Sequence, residues 1–267
     1  KGDGAAMKKL LNTLYVLTPD SYLFNRNETV CVRVGGEEKV SVPAIAIDAI
    51  VCFGQMTVST PLIGFCGERG IGITFLSPNG HFLGRVCGPV SGNVLLRKKQ
   101  YESLSDLDFR LRFVRDLLYA KLRNAKTVLM RYARTEADGS RTQALYSAAD
   151  RLSRIAQELS QYPDVDSLRG AEGAAGSIYF SQMDNMLIKG PHDFRFVERS
   201  RRPPQNEVNA ALSFVYMLLS REMQSAMETV GLDPAGGYLH SLRPGRPSFA
   251  LDLMEEFRAP LCDRFVL

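Results

Sequence analysis

The chain has 267 residues, 45% of them hydrophobic, and sets 33 Lys and Arg against 29 Asp and Glu for a formal charge of +4. Such a length and apolar content suit one large or two modest soluble domains, and no apolar run approaches the ~20 residues that a membrane-spanning helix needs. The balance is too mildly basic to argue for nucleic acid from net charge, so any such argument rests on where the arginines cluster.

The five cysteines, Cys31, Cys52, Cys66, Cys87 and Cys262, are odd in number, widely spaced and mostly set among apolar neighbours. That pattern predicts buried thiols in a reducing, cytoplasmic setting rather than a disulfide framework or a CxxC zinc site. No secretory signal is visible, and Lys1–Ala6 ahead of Met7 is left out of the fold.

Residues 7–90 read as a small β domain with a dimerisation role. Thr29–Val34 and Ile45–Val51 are β-rich runs broken by turn residues, and Pro61–Glu68 reads as one interrupting helix. Ile73–Leu76 and His81–Val86 flank Ser77-Pro78-Asn79-Gly80, a hairpin signal because Asn-Gly tolerates positive φ. After Gly92 the apolar period becomes helical. Leu107, Leu111, Val114, Leu118, Leu122, Ala125 and Leu129 form one stripe, predicting a long helix from about 105 to 134. Further helices are predicted near 141–161, 167–183, 206–229 and 248–258. The fold class is therefore α+β multidomain: a small N-terminal β domain, then a larger all-α catalytic domain over 91–267. The chain ends on Phe265-Val266-Leu267 without a cap or polar tail, as a chain that continues further would.

The chemistry-bearing stretch is Tyr238-Leu239-His240 followed by Ser248–Arg258. On a continuous helix, Asp252, Glu255 and Glu256 stand at i, i+3 and i+4 and share one side. Their repulsion calls for a cation, either Arg258, Arg246 or a divalent metal. A histidine with nearby carboxylates suits Mg²⁺ or Mn²⁺; a solvated acidic face beside a capping histidine is the plainer reading. His81 and His192 are the other two histidines. A second acidic candidate, Glu172, lies among Gly170, Gly173, Ala174, Ala175 and Gly176. Small residues there permit either close approach of a nucleic-acid strand or tight helix packing.

Basic residues gather in three places. Phe194–Pro204 carries Arg195, Arg199, Arg201 and Arg202 against one acid, and Arg243 and Arg246 lie between His240 and the acidic helix. The long helix has eight basic residues against three acidic ones, which is also what any amphipathic helix shows on its outer face. Arginines of this kind give phosphodiester affinity with little sequence information; Arg199, Arg201, Arg202, Arg243 and Arg246 are the DNA-binding candidates.

Glu172 within Leu168-Arg169-Gly170-Ala171-Glu172-Gly173, the run Arg201-Arg202-Pro203-Pro204 leading to Asn209, Tyr238-Leu239-His240 and Ser248–Arg258 together closely resemble the CRISPR-associated integrase of spacer acquisition, CRISPR-associated protein one. The start Lys8–Tyr15 resembles the type I-C form, and the resemblance covers essentially all of the chain from Met7. It implies a metal-dependent DNA endonuclease and integrase of antiviral defence that inserts protospacer DNA into a CRISPR array by 3′-hydroxyl attack on a repeat-boundary phosphodiester. Carried over by position, the metal ligands are Glu172, His240 and Glu255, with Asp252 a further catalytic acidic position. The implied assembly is a homodimer joined to a small ferredoxin-like adaptation protein, CRISPR-associated protein two, and to DNA, with no membrane. Asn206-Glu207 departs from the family's common Asp-Pro, which predicts a differently shaped start to the following helix. A hydrolytic DNA-repair-type nuclease would share every ligand, and a non-catalytic nucleic-acid scaffold would share the arginines.

Overall fold

The computed structural model describes residues 12–88, 94–187 and 194–267; Lys8–Leu11, Val90 and His192 lie outside them. The chain divides into two compact units, Lys1–Gly92 and Asn93–Leu267. The fold class follows the α+β expectation, with strands in the first unit and helices throughout the second.

The first unit holds two four-stranded sheets. One orders β1 (Thr13–Val16), β5 (Ala49–Phe53), β7 (Gly72–Leu76) and β8 (Phe82–Val86), with β1, β5 and β7 parallel. The other orders β4 (Glu37–Pro43), β3 (Thr29–Val34), β2 (Ser21–Arg26) and β6 (Met56–Val58). Every residue of Ala49-Ile50-Val51-Cys52-Phe53 is buried, the unbroken apolar pattern of a strand covered on both faces. Helix α1 (Thr60–Glu68) is capped by Ser59, whose hydroxyl accepts from the Leu62 amide, and Pro61 stands in its first turn.

Two expectations change here. Ile45–Val51 is not one strand: Ala44–Ala46 makes a 3₁₀ turn and β5 begins at Ala49, because Ile47 donates its amide to the Ala44 carbonyl and Asp48 donates its amide to Asn12. In the β7–β8 hairpin the left-handed residue is Gly80 at φ 79°, with Asn79 on the ordinary side.

In the second unit, α2 (Val94–Ser105) is followed by α3 (Leu107–Thr135), a 29-residue helix. The long helix thus starts later than periodicity suggested, because Asp106 leaves the helix to accept from the Phe109 amide at 3.0 Å. Val114, Leu118, Leu122, Ala125 and Leu129 are buried as the stripe requires, while Leu107, at the helix tip, is exposed. Packed around α3 are α4 (Gly139–Glu158) and α5 (Val165–Phe180), followed in the chain by α6 (Met183–Met186) and α7 (Glu207–Thr229). Asp164 and Ser167 close a reciprocal capping box on α5. Asn206 caps α7 by accepting from the Asn209 amide at 2.8 Å, so its departure from aspartate leaves an ordinary helix start.

The expected helix over 248–258 is broken. It runs as α8 (Ser248–Leu253), α9 (Glu255–Phe257), a π-helical stretch over Arg258–Asp263 and α10 (Arg264–Val266). Pro260 supplies no amide to an α-helical ladder, which is one physical reason for the wide turn. No helix among the described residues is long and apolar enough to cross a membrane.

Candidate active site

The loop from Gly231 to Pro247 carries His240, and three elements hold it. From α2, Gln100 exchanges two hydrogen bonds with the backbone of Asp233, at 2.8 and 2.9 Å, and Tyr101 donates to the Asp233 carboxylate at 2.7 Å. Arg110 of α3 donates to the Tyr238 carbonyl at 2.7 Å, and Arg169 of α5 donates to the Leu239 carbonyl at 2.8 Å. The amides of the same residues point the other way. Asp252 Oδ2 accepts from the Tyr238 and Leu239 amides at 2.6 and 2.9 Å, and Oδ1 accepts from the His240 amide at 3.0 Å. Gly237 makes the turn possible, since a Cβ there would stand 2.5 Å from Ser248 Cβ.

Asp252 also orients the His240 ring. Its Oδ1 lies 2.6 Å from Nδ1, and the carboxylate is fully buried. A carboxylate that already accepts backbone amides accepts from Nδ1–H as well, which leaves His240 its Nε2 lone pair for another partner.

Glu172 on α5 and Glu255 on α9 meet at one cation, Lys121 of α3. The ammonium donates to Glu172 Oε1 and lies 2.7 Å from Glu255 Oε2. Glu255 is 3% exposed, and its other oxygen pairs with Arg258 Nη1 at 2.8 Å. Burial works to raise the Glu255 pKa, but Lys121, Arg258 and the nearby His240 outweigh it and hold the carboxyl below its ordinary value. Glu255 Oε2 is buried and receives no hydrogen bond of proper geometry, even though Lys121 is within ion-pair distance. The distance shows a charge contact between the ammonium and the carboxylate.

A cavity of about 540 Å³ opens here, lined by Lys121, Glu172, Gly173, Gly176, Arg199, Arg201, Glu255 and Arg258 among others. A Cβ added at Gly173 or Gly176 would meet nothing within 4 Å, so these two glycines give the cavity room rather than packing against another helix. At the far wall Asp263 accepts from Tyr216 Oη at 2.5 Å. Burial pushes its pKa up to about 6, against the opposing pull of the Tyr216 and Tyr179 hydroxyls, Arg258 and Arg199.

The break at Met254 separates the three carboxylates that a regular helix would have aligned. Asp252 turns onto the His240 loop, Glu255 turns to Lys121 and Arg258, and Glu256 is half-buried with its carbonyl accepting from Asn124. Glu172 and Glu255 come together, and His240 is near enough to count among the groups that lower the Glu255 pKa when its ring carries a charge. Among the described residues, no group of three His, Cys, Asp or Glu side chains is close enough to hold an ion as it stands; Lys121 occupies the gap between the two glutamates. The donor set still fits a hard divalent cation once that gap is cleared: two carboxylates, one oxygen unsatisfied and buried, and an imidazole with its ring fixed by a carboxylate.

The arginine candidates divide. Arg201 lines the cavity and is exposed, as are Arg202 and Arg243. Arg246 lines a second cavity of about 490 Å³ together with Arg258 and Asp233. Arg199 is largely committed internally, donating to Asn209 Oδ1 at 2.8 Å and to Ser213 Oγ at 3.1 Å. Sequence reasoning missed the roles of Lys121 and Arg110, having assigned the basic residues of α3 to a solvated face, and that of Arg169 on α5, which it named only within a motif. The available signal was position: Lys121 follows Leu118 by three and precedes Ala125 by four, which places it on the buried stripe.

The helical unit thus gathers two acidic residues, Glu172 and Glu255, in one cavity edged by Lys121, Arg199, Arg201 and Arg258. A profile of the family described as CRISPR associated protein Cas1 matches residues 14–267. The chain is 45% identical to a CRISPR-associated endonuclease Cas1 of Moorella thermoacetica and 42% identical to one of Chlorobaculum tepidum, each over 98% of this chain and 76% of the relative. A solved CAS1 protein from Thermotoga maritima superimposes with a TM-score of 0.78 at 25% identity, over 95% of this chain and 76% of that one. The same fold is found, at 20% identity, in a casposase bound to integration product (TM-score 0.75, 96% of this chain and 72% of that one) and in a Cas6-RT-Cas1–Cas2 complex (TM-score 0.78, 100% and 28%). The chain belongs to the Cas1 family of CRISPR-associated endonucleases.

Proposed function

We propose that the chain is a divalent-metal-dependent integrase of spacer acquisition, joining the 3′-hydroxyl of protospacer DNA to a phosphodiester at the repeat boundary of a CRISPR array. The observation that carries this reading is the convergence of Glu172 and Glu255 on one cation, beside a histidine that Asp252 fixes in place, at the base of a cavity edged by arginine. Membership of the endonuclease family gives the reaction class. The strand-transfer form is suggested by a casposase of the same fold bound to its integration product.

Glu172, Glu255 and His240 would hold Mg²⁺ or Mn²⁺, which when bound supplies Lewis-acid polarisation of the phosphate and a lowered hydroxyl pKa. The protein's own residues position and neutralise. Asp252 keeps His240 Nδ1 protonated and its ring oriented. Arg201 and Arg202 offer exposed guanidinium groups to the phosphodiester backbone, with Arg243 and Arg246 on the loop beyond His240. A P–O bond to the incoming 3′ oxygen forms as the P–O3′ bond of the repeat strand breaks, so the number of phosphodiesters is conserved and no external energy source enters. Water in place of the 3′-hydroxyl makes the same site a hydrolytic nuclease.

The type I-C form, a homodimer built through the N-terminal unit, a Cas2-type partner and a cytoplasmic location belong to the same proposal. A Cas1–Cas2 complex of the same fold supports the partner. The test is strand transfer with 3′-hydroxyl against 3′-blocked protospacer DNA. Loss of joined product with the blocked end is expected; equal product from both overturns integration in favour of hydrolysis.

A further inference from the structure

Lys121 is a large basic side chain where a buried stripe calls for an apolar one, only 15% exposed, and its ammonium spans both glutamates. Leu118 and Leu122 beside it are buried in the core, and Lys121 itself lines the cavity. A buried pair of carboxylates with no cation would repel strongly at low local polarity. Arg258 pairs with one oxygen of Glu255 and meets Glu172 only through charge at longer range, while Lys121 donates to Glu172 directly. Removing Lys121 therefore leaves an excess of negative charge at one point.

We propose that Lys121 is a tethered counter-ion that keeps Glu172 and Glu255 together in the metal-free protein, and that a divalent cation displaces it. This rests on the metal-site reading of the same glutamates. The ammonium lies against both carboxylates, at 2.7 Å from Glu255 Oε2, where a divalent cation bound by the same two groups would have to sit. The displaced ammonium remains within the cavity, where Glu198 and Asp263 also stand and where it can meet a substrate phosphate. Lys121 is accordingly a positioning residue for the two carboxylates. Its charge lowers the protein's affinity for metal alone and raises its affinity for metal together with DNA.

The experiment is Mn²⁺ binding by electron paramagnetic resonance to the full chain, wild type against Lys121→Met and Lys121→Gln, without and with DNA carrying a phosphodiester at the site. Without DNA, at least about tenfold tighter Mn²⁺ binding is expected in both variants, and DNA is expected to enhance Mn²⁺ affinity more in the wild type than in either. Unchanged or weaker Mn²⁺ affinity in a folded variant overturns the counter-ion role. Should both variants fail to fold, crystals of the wild type soaked in Mn²⁺ decide: the ammonium is expected to have left the space between the carboxylates, and an ammonium still bridging them beside bound Mn²⁺ overturns the proposal. No Mn²⁺ binding by wild type or variants removes the metal-site reading itself, an outcome separate from failure of the Lys121 role.

Discussion

The Nδ1 atom of His240 lies 2.6 Å from Oδ1 of Asp252, a fully buried carboxylate that also accepts the amides of residues 238, 239 and 240. One side chain thus fixes both the backbone and the ring of the histidine. Asp252→Asn places an NH₂ group against donors, and each buried donor left unpaired costs about 1–3 kcal/mol. Urea denaturation is expected to show that loss, and endonuclease activity is expected to fall about 10- to 100-fold, the range for partners that orient a ligand. Wild-type stability in Asp252→Asn would refute this assignment.

Gly237→Ala isolates the shape of the loop from its charge. The added Cβ meets Ser248 Cβ at 2.5 Å, Ser248 C at 2.8 Å and the His240 carbonyl at 3.0 Å. A destabilisation of about 1–3 kcal/mol is expected from overpacking, read as a lower Tm, and activity should fall with it as His240 is pushed out of place. An unchanged Tm would mean that the loop relaxes freely.

Asp263 gives a pH signature. Burial raises its folded pKa from 3.8 to about 6, so between those pH values the folded protein holds a proton that the unfolded chain has released. Its contribution to stability is therefore present below pH 4 and lost as pH rises to 6. Compared with Asp263→Asn, which does not titrate, wild-type stability is expected to decline by roughly 3 kcal/mol across that window, at about 1.4 kcal/mol per pH unit. Paired denaturation curves at pH 4 and 6.5 check it; a constant difference between the two proteins would show that Asp263 titrates normally.

Arg201 and Arg202 are exposed and act, on this account, through backbone phosphates. Alanine at both positions is expected to weaken DNA binding without regard to sequence and to reduce the slope of log K against log salt by up to about 2. Arg199→Ala should instead show chiefly as lost stability, because its guanidinium ties Asn209 and Ser213 together. A salt slope unchanged in the double variant would place the DNA elsewhere.

Much of the fold was legible because it depends on local signals. The stripe from Val114 to Leu129, the order of helices after it and the strand Thr29–Val34 all follow from periodicity. What sequence could not give was the consequence of long-range contact. Asp252, Glu255 and Glu256 look equivalent on a helical wheel, and only the break at Met254 and the pull of residues 238–240 and 121 send them to different partners. Lys121 was hidden by its own commonness: a lysine on a long basic helix reads as solvated until its neighbours at 118 and 125 are found to be core. Arg110 and Arg169 act on carbonyls 128 and 70 residues away, a relationship that no spacing rule encodes.

The central claim, that Glu172 serves the chemistry rather than the fold, is tested most directly by strand transfer with Glu172→Gln, with DNA affinity measured on the same preparation. More than about a hundredfold loss of joined product is expected, beyond the ~10- to 100-fold typical of groups that merely orient a ligand, while DNA binding stays close to wild type. Turnover undiminished in a variant that still binds DNA would contradict the account.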